Sequence, residues 1–309
     1  DVVVGTGIDR VEAGTGDDTI HDVDNFDCRD AGCSREPDDT FDGGAGNDWI
    51  LYEGSLGVTV DLTNGTATGA GADAVTELEN VVGTEQADTI LGDEGPNHLR
   101  SGGGGDYVEG RGGDDELVDA YNHGGVSDGD EIHGGEGDDR LSSLSGTSSL
   151  HGEDGDDRIL GGAGADAIEG GAGNDVVVGS GADDTIDGGD GSDTIDFTNT
   201  FLKVNLDLAS GTGEKLIGSF DTLFGTDAYV SIENATGSDK NDTLRGDDGP
   251  NALSGGPGSD SIEGRSGDDV IDAGEGMEPG SSATERDVAD GGPGTDTCTN
   301  AEEATGCEA

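Results

Sequence analysis

Basic residues, aromatic rings and long apolar runs are all scarce in this chain. Lysine and arginine together number 13 against 71 aspartates and glutamates, a formal net charge of −58 over 309 residues. Without a basic surface the chain cannot grip phosphate backbones, which excludes nucleic-acid binding. Aromatics make up 4% and apolar residues 29%, too little for a broad hydrophobic core. No apolar run approaches the roughly 18 residues of a membrane span. No leader is visible, and the opening Asp1-Val2-Val3-Val4 falls in mid-pattern, as in a processed chain or fragment. Cysteines number four and form two local pairs, Cys28/Cys33 and Cys298/Cys307. Such close pairs suggest disulfides in a secreted protein, with free thiols as the alternative.

Catalytic constellations are missing as well. There is no His-Glu-x-x-His and no Gly-x-Ser-x-Gly. His21, His98, His123, His133 and His151 are scattered, and Lys203, Lys215 and Lys240 complete no phosphate loop. Carboxylates are too numerous for a glycoside-cleaving pair to stand out. The expectation is that the chain is not an enzyme. Trp49 and Tyr52 fit packing better than a carbohydrate contact.

What the chain has in excess is glycine, 62 residues, far above the usual share of about 7%. Low hydrophobicity with high charge fits either disorder or a repeat fold that cations complete. Periodicity decides between them. From Gly125 to Asp196 the chain reads as eight nonapeptides in register, among them GGEGDDRLS, GGAGNDVVV and GGDGSDTID. Aspartate recurs at the sixth place and an aliphatic residue at the eighth. One degenerate unit, SLSGTSSLH, has Ser148 where aspartate belongs. Four units fill 83–118 (Asp88, Asn97, Asp106, Asp115) and four fill 237–272 (Asp242, Asn251, Asp260, Asp269). Shorter stretches lie at 4–21, 43–51 and 291–299, the first two holding Asp9, Asp18 and Asp48.

Both four-unit blocks contain Gly-Pro-Asn. Each follows an alternating segment, Val58-Thr59-Val60-Asp61-Leu62 or Val204-Asn205-Leu206-Asp207-Leu208, and then Glu-Asn. This reads as an internal duplication. The organisation expected is 1–51 with an inserted loop at 22–42, then 52–118, a central run at 119–196, 197–272, and a tail at 273–309 with a loop at 273–290. The alternating segments are expected to continue the sheet, since alternation marks half-buried strands.

In each unit the first six residues make a turn, where glycine supplies positive φ and close backbone approach. The last three make a minimal strand. Two units form one coil, and coils stack about 4.8 Å apart. Sixth-place aspartates eighteen residues apart then face each other. Two carboxylates at that spacing repel by roughly 1 kcal/mol in water and a few kcal/mol near a protein surface. A divalent cation between turns reverses the sign. Oxygen ligands in loose geometry suit Ca²⁺, whereas Mg²⁺ demands a tight octahedron. The absence of His/Cys clusters argues against zinc and copper.

These units resemble the haemolysin-type, or RTX, nonapeptide GGxGxDxUx. The resemblance implies an all-β fold, a parallel β-roll or β-helix solenoid, with multiple Ca²⁺ ions held between turns by aspartates and carbonyls. Carried over residue by residue, one side of the central run presents Asp139, Asp157, Asp175 and Asp193. The other presents Asp130, Ser148, Asp166 and Asp184, where Ser148 should weaken its neighbours. Outside that run the resemblance assigns Asp9, Asp18, Asp48, Asp88, Asp106, Asp115, Asp242, Asp260 and Asp269. It further implies an extracellular, secreted, bacterial protein that folds on meeting calcium, with any surface or matrix partner unidentified. A structural or adhesive spacer, or the calcium-binding part of a larger exported hydrolase or epimerase, are the alternatives. The tail departs from the family: Cys298 stands at an eighth place, expected to point into the core, and a Cys298–Cys307 bridge would cap the last coil. His133 and His151 should stack as a surface pair.

Overall fold

Each nonapeptide offers one large apolar side chain to bury, so its strand can only be short and must be stacked to be stable. The computed structural model describes residues 2–4, 9–22, 38–54, 56–69, 71–119, 129–144, 146–179, 181–198, 200–218, 221–274 and 286–308. Among these residues there is no helix, and the regular structure is β-strand throughout. The chain divides into two units, Asp1–Asp157 and Arg158–Ala309.

In the first unit, consecutive nonapeptides alternate between two sheets of parallel strands. One sheet runs through Thr19–Asp22, Trp49–Tyr52, Asn80–Val82, His98–Arg100, Glu116–Asp119 and Arg140–Ser143. The other includes Thr89–Leu91, Tyr107–Gly112, Glu131–Glu136 and Ser149–Asp154. The second unit repeats the plan, with Val176–Val178 and Thr194–Asp196 on one sheet and Ala167–Gly173 and Thr185–Gly191 on the other. Register follows the expected eighteen: Ile132 lies beside Leu150, and Val177 beside Ile195. Insertions lengthen some coils, so that Val108 meets Ile132 and Ile20 meets Ile50. Three-residue strands occur as expected, but on one sheet several extend through the first glycines of the next turn to seven residues, as in Ala167–Gly173.

The eighth-place side chains form the core. Ile90, Leu99, Leu117, Ile132 and Leu150 in the first unit are fully buried, as are Ile159, Val177, Ile186 and Ile195 in the second. This thin aliphatic seam is all the apolar interior that the composition allows.

The alternating segments do enter the sheet: Thr59–Asp61 pairs parallel with Thr89–Leu91, and Lys203–Asp207 with Thr243–Arg245. Each also turns back into antiparallel strands, Thr66–Thr68 and Ala72–Thr76 in one unit, Thr212–Ile217 and Thr222–Val230 in the other. The turns explain this. Asp61 Oδ1 accepts the Asn64 N–H and Gly65 takes φ +65°; Asp207 Oδ1 accepts the Ser210 N–H and Gly211 takes φ +64°. These are side-chain-stabilised tight turns of the kind that join hairpins.

Two expected loops prove shorter than read. Strands begin at Thr40 and Val288, inside the segments assigned to loops. The Cys28/Cys33 pair lies outside the described residues. At the other end Cys298 is half-buried rather than in the core, and is bridged to Cys307 across a Cα separation of 5.8 Å. The tail strand Glu303–Thr305 pairs with Val288–Asp290. His133 and His151 stack with ring centroids 4.6 Å apart. Trp49 packs against His98 at 4.8 Å.

Candidate metal centres

Every sixth-place aspartate must leave its turn either toward solvent or toward the core. The structure buries them. Asp48, Asp88, Asp106, Asp115, Asp130, Asp139 and Asp157 in the first unit, and Asp166, Asp175, Asp184, Asp193, Asp242, Asp260 and Asp269 in the second, are each 3% exposed or less. Asp9 and Asp18 are half-buried.

One oxygen of each carboxylate has a fixed task. It accepts the backbone N–H of the aspartate one coil earlier, so the side chains form rungs that run one way along the chain. On one face of the first unit the rungs are Asp18→Asp48 (2.7 Å), Asn97→Asp115 (2.7 Å), Asp115→Asp139 (2.7 Å) and Asp139→Asp157 (2.8 Å). On the other they are Asp9→Asp39 (2.8 Å), Asp88→Asp106 (2.8 Å) and Asp106→Asp130 (2.9 Å). The second unit has Asp175→Asp193 (2.8 Å) and Asp269→Asp296 (2.9 Å) on one face. Its other face has Asp166→Asp184 (3.0 Å), Asp242→Asp260 (2.8 Å) and Asp260→Asp287 (2.8 Å). Glutamates take the acceptor role where the spacing changes: Glu79 for Asp48, Glu233 for Asp193, Glu302 for Asp287 and Glu308 for Asp296.

The other oxygen separates the turns into two kinds. In Asp48, Asp106, Asp115, Asp139, Asp193, Asp260, Asp269, Asp287 and Asp296 the Oδ2 atom is buried with no hydrogen-bond donor. It faces the first glycine of its own turn and a carbonyl of the next coil. A Cβ built on Gly255 would lie 2.5 Å from Asp260 Oδ2 and 2.7 Å from the Ala273 carbonyl oxygen. Gly110 and Gly134 create the same hollow beside Asp115 and Asp139, and Gly264 beside Asp269. Each hollow therefore gathers an anionic oxygen and a carbonyl oxygen from stacked coils, a hard-oxygen donor set that fits Ca²⁺.

Other turns satisfy themselves. Asp88 Oδ2 accepts the Thr84 N–H, and Asp242 Oδ2 accepts both the N–H and hydroxyl of Ser238. Asn97 donates through Nδ2 to the Glu79 carbonyl, and Asn251 to that of Glu233. These amides supply from within the chain the positive end that a cation supplies elsewhere. Ser148 is buried and hydrogen-bonds the Ser143 hydroxyl at 2.9 Å.

Burial raises the carboxyl pKa values. Desolvation pushes Asp106 and Asp115 up to about 6, Asp139 up to about 7, Asp242 up to about 6 and Asp260 up to about 8. Asp184 rises to about 6 through the same desolvation, partly countered by Lys215. A group whose charge is resisted so strongly needs a proton or a cation beside it. The densest cluster joins Asp106, Asp119 and Asp130, whose oxygens all lie within 4.8 Å of one another and are buried. Asp119 stands where a turn's first glycine belongs and is itself raised by burial and by Asp130.

Sequence reasoning missed Asp39, Asp119, Asp287, Asp296 and the four glutamates. Asp39-Thr40-Phe41 and Asp287-Val288-Ala289 keep the aspartate two places before a buried apolar residue without the glycines before it. That triplet was the available signal. It also missed an exposed outer row at the fifth place, where Asp114 accepts from Asp138, Asp138 from Asp156, and Asn174 from Ser192.

The chain matches the family described as RTX calcium-binding nonapeptide repeat (4 copies) over residues 3–22, 38–53, 82–117, 125–147, 133–168, 142–177, 169–197, 231–249 and 245–276. No curated protein matches the chain.

Proposed function

Because the chain belongs to the RTX calcium-binding nonapeptide repeat family, whose segments cover more than half of it, we propose that it is an extracellular protein that folds on binding several Ca²⁺ ions. The buried Oδ2 atoms with no donor carry this reading. The ions sit beside Asp106, Asp115, Asp139, Asp193, Asp260 and Asp269, together with Asp48, Asp287 and Asp296, whose free oxygens and neighbouring carbonyls would hold them. Asp130, Asp157, Asp166 and Asp175 belong to the same rungs and complete the sites. Asp88 and Asp242 serve as structural rungs, since both of their oxygens already accept hydrogen bonds. Asp9 and Asp18 mark weaker sites, being half-buried.

The repeats are calcium-binding structure rather than catalytic machinery, and the chain itself performs no reaction in this reading. Proteins with such repeats are typically exported. Among the described residues no helix is long and apolar enough to cross a membrane. Extracellular calcium modules bind at roughly 10⁻⁴–10⁻³ M, so a bacterial chain of this charge would stay unfolded in low internal calcium and fold outside. Binding free energy then adds to folding free energy. Far-UV circular dichroism during a Ca²⁺ titration, with Mg²⁺ as control, tests this. A coil-to-β transition near millimolar Ca²⁺ and none with Mg²⁺ is expected. A chain already fully β in chelator at neutral pH would overturn calcium-driven folding.

A further inference from the structure

One buried cation in the second unit has no counterpart in the repeat. Lys215 lies on the antiparallel strand Thr212–Ile217, outside every segment that matches the family, and is 0% exposed. Its ammonium sits 2.7 Å from Asp227 Oδ1 and 3.1 Å from Asp184 Oδ2, and donates to the Gly181 carbonyl at 2.8 Å. Asp184 and Asp227 are successive rungs, since the Asp184 N–H donates to Asp227 Oδ1 at 3.0 Å. A Cβ on Gly179, the first glycine of this turn, would lie 3.4 Å from Oδ2 of both aspartates. The two carboxylates thus face one hollow, as in the other turns. Asp227 Oδ2 is further engaged by the Tyr229 hydroxyl at 2.7 Å.

Two carboxylates from adjacent coils and a turn carbonyl are the donors gathered in the metal-type hollows. Here they surround an ammonium whose three N–H donors meet three oxygens. A buried ammonium is tolerable only when paired and hydrogen-bonded in this way. A metal ion entering the hollow would have to displace a group tethered to the chain and already bonded to the same oxygens.

We propose that the Lys215 ammonium occupies the cation position of the Asp184–Asp227 rung, so that this rung is closed by the chain's own side chain and takes no Ca²⁺. The inference rests on the calcium reading of the other rungs. It assigns the hairpin Lys203–Val230 a second role: it delivers a permanent counter-ion to the coil on which it packs. The rung is then closed at any calcium concentration at which the hairpin is docked.

Counting bound Ca²⁺ by equilibrium dialysis at saturating concentration tests this. The proteins to compare are the wild type, Asp269→Asn, Asp227→Asn and Lys215→Ala, each checked for β structure by circular dichroism. Asp269→Asn should bind at least one ion fewer than the wild type, and an unchanged count there speaks against the calcium reading itself. Asp227→Asn should leave the count unchanged, and Lys215→Ala should raise it by one. Loss of an ion in Asp227→Asn, or a folded Lys215→Ala with no added ion, would overturn the proposal. If Lys215→Ala does not fold, Asp227→Asn decides alone.

Discussion

Stripping the metal and raising the pH should unfold the roll without any denaturant. The unfolded chain ionises its aspartates near 3.8. The folded chain holds protons on Asp106, Asp115 and Asp242 up to about 6, on Asp139 up to about 7 and on Asp260 up to about 8. Between those limits the folded state binds more protons, so its stability falls as pH rises. At about 1.36 kcal/mol per tenfold change, Asp106, Asp115 and Asp242 each cost roughly 3 kcal/mol at neutral pH, and Asp139 and Asp260 about 4 each. Within each unit the toll reaches or approaches about 10 kcal/mol, comparable with the whole 5–15 kcal/mol by which domains are stable. The metal-free chain should therefore be β-structured near pH 4–5 and lose that signal as pH rises through 6–8. Calcium should restore it at pH 7.5 and, below pH 7, release protons on binding. The assay is circular dichroism of dialysed, metal-free protein across this range, with a calcium-loaded control. A metal-free chain whose melting temperature is the same at pH 5 and pH 8 would refute the reasoning, because the buried carboxylates would then carry no electrostatic penalty.

Three further outcomes follow from particular contacts. Gly255→Ala places a methyl group 2.5 Å from Asp260 Oδ2 and should lower stability by about 2 kcal/mol or more, with weaker calcium binding, read by chemical denaturation and dialysis. Asn251→Asp removes the amide donated to the Glu233 carbonyl at 2.8 Å; it should cost about 1–3 kcal/mol in chelator, and added calcium should recover most of that loss in a thermal melt. Arg265 pairs with both oxygens of Asp207, at 2.9 and 2.7 Å, and holds the Asp207 pKa below its usual value. Its contribution, about 1 kcal/mol or less at this half-exposed site, is present above pH 4 and lost on acidification, so Arg265→Ala should remove that part of the acid dependence.

Much of this was legible in the sequence because the nonapeptide fixes both the strand period and the burial of its eighth residue. Ile132, Ile159 and Val177 sit where the repeat places them. The direction in which the aspartates point was not legible. A carboxylate in a glycine turn reads as solvated, yet a bond from the preceding coil's amide draws it inward, and that partner is eighteen or more residues away. Rungs that lost their glycines, such as Asp39 and Asp287, escaped for the same reason: the repeat was recognised by its turn, while the rung depends on the aspartate and the apolar residue alone. The Lys215 cluster combines residues 181, 184, 215 and 227, a long-range meeting that no local pattern encodes. The antiparallel strands were hidden because alternation looks the same in either direction.

The alternation of nonapeptides between two sheets sets a rule of parity for how such a chain can lengthen. The uninterrupted blocks hold four, eight and four units. An added single unit would move every later segment to the opposite sheet, so that Lys203–Asp207 would leave the strand Thr243–Arg245 that it now pairs with. An added pair leaves every later residue on its own sheet and merely inserts one coil. Gene duplication in this architecture is therefore neutral in steps of eighteen residues and disruptive in steps of nine, and the even block lengths are what that filter would leave behind.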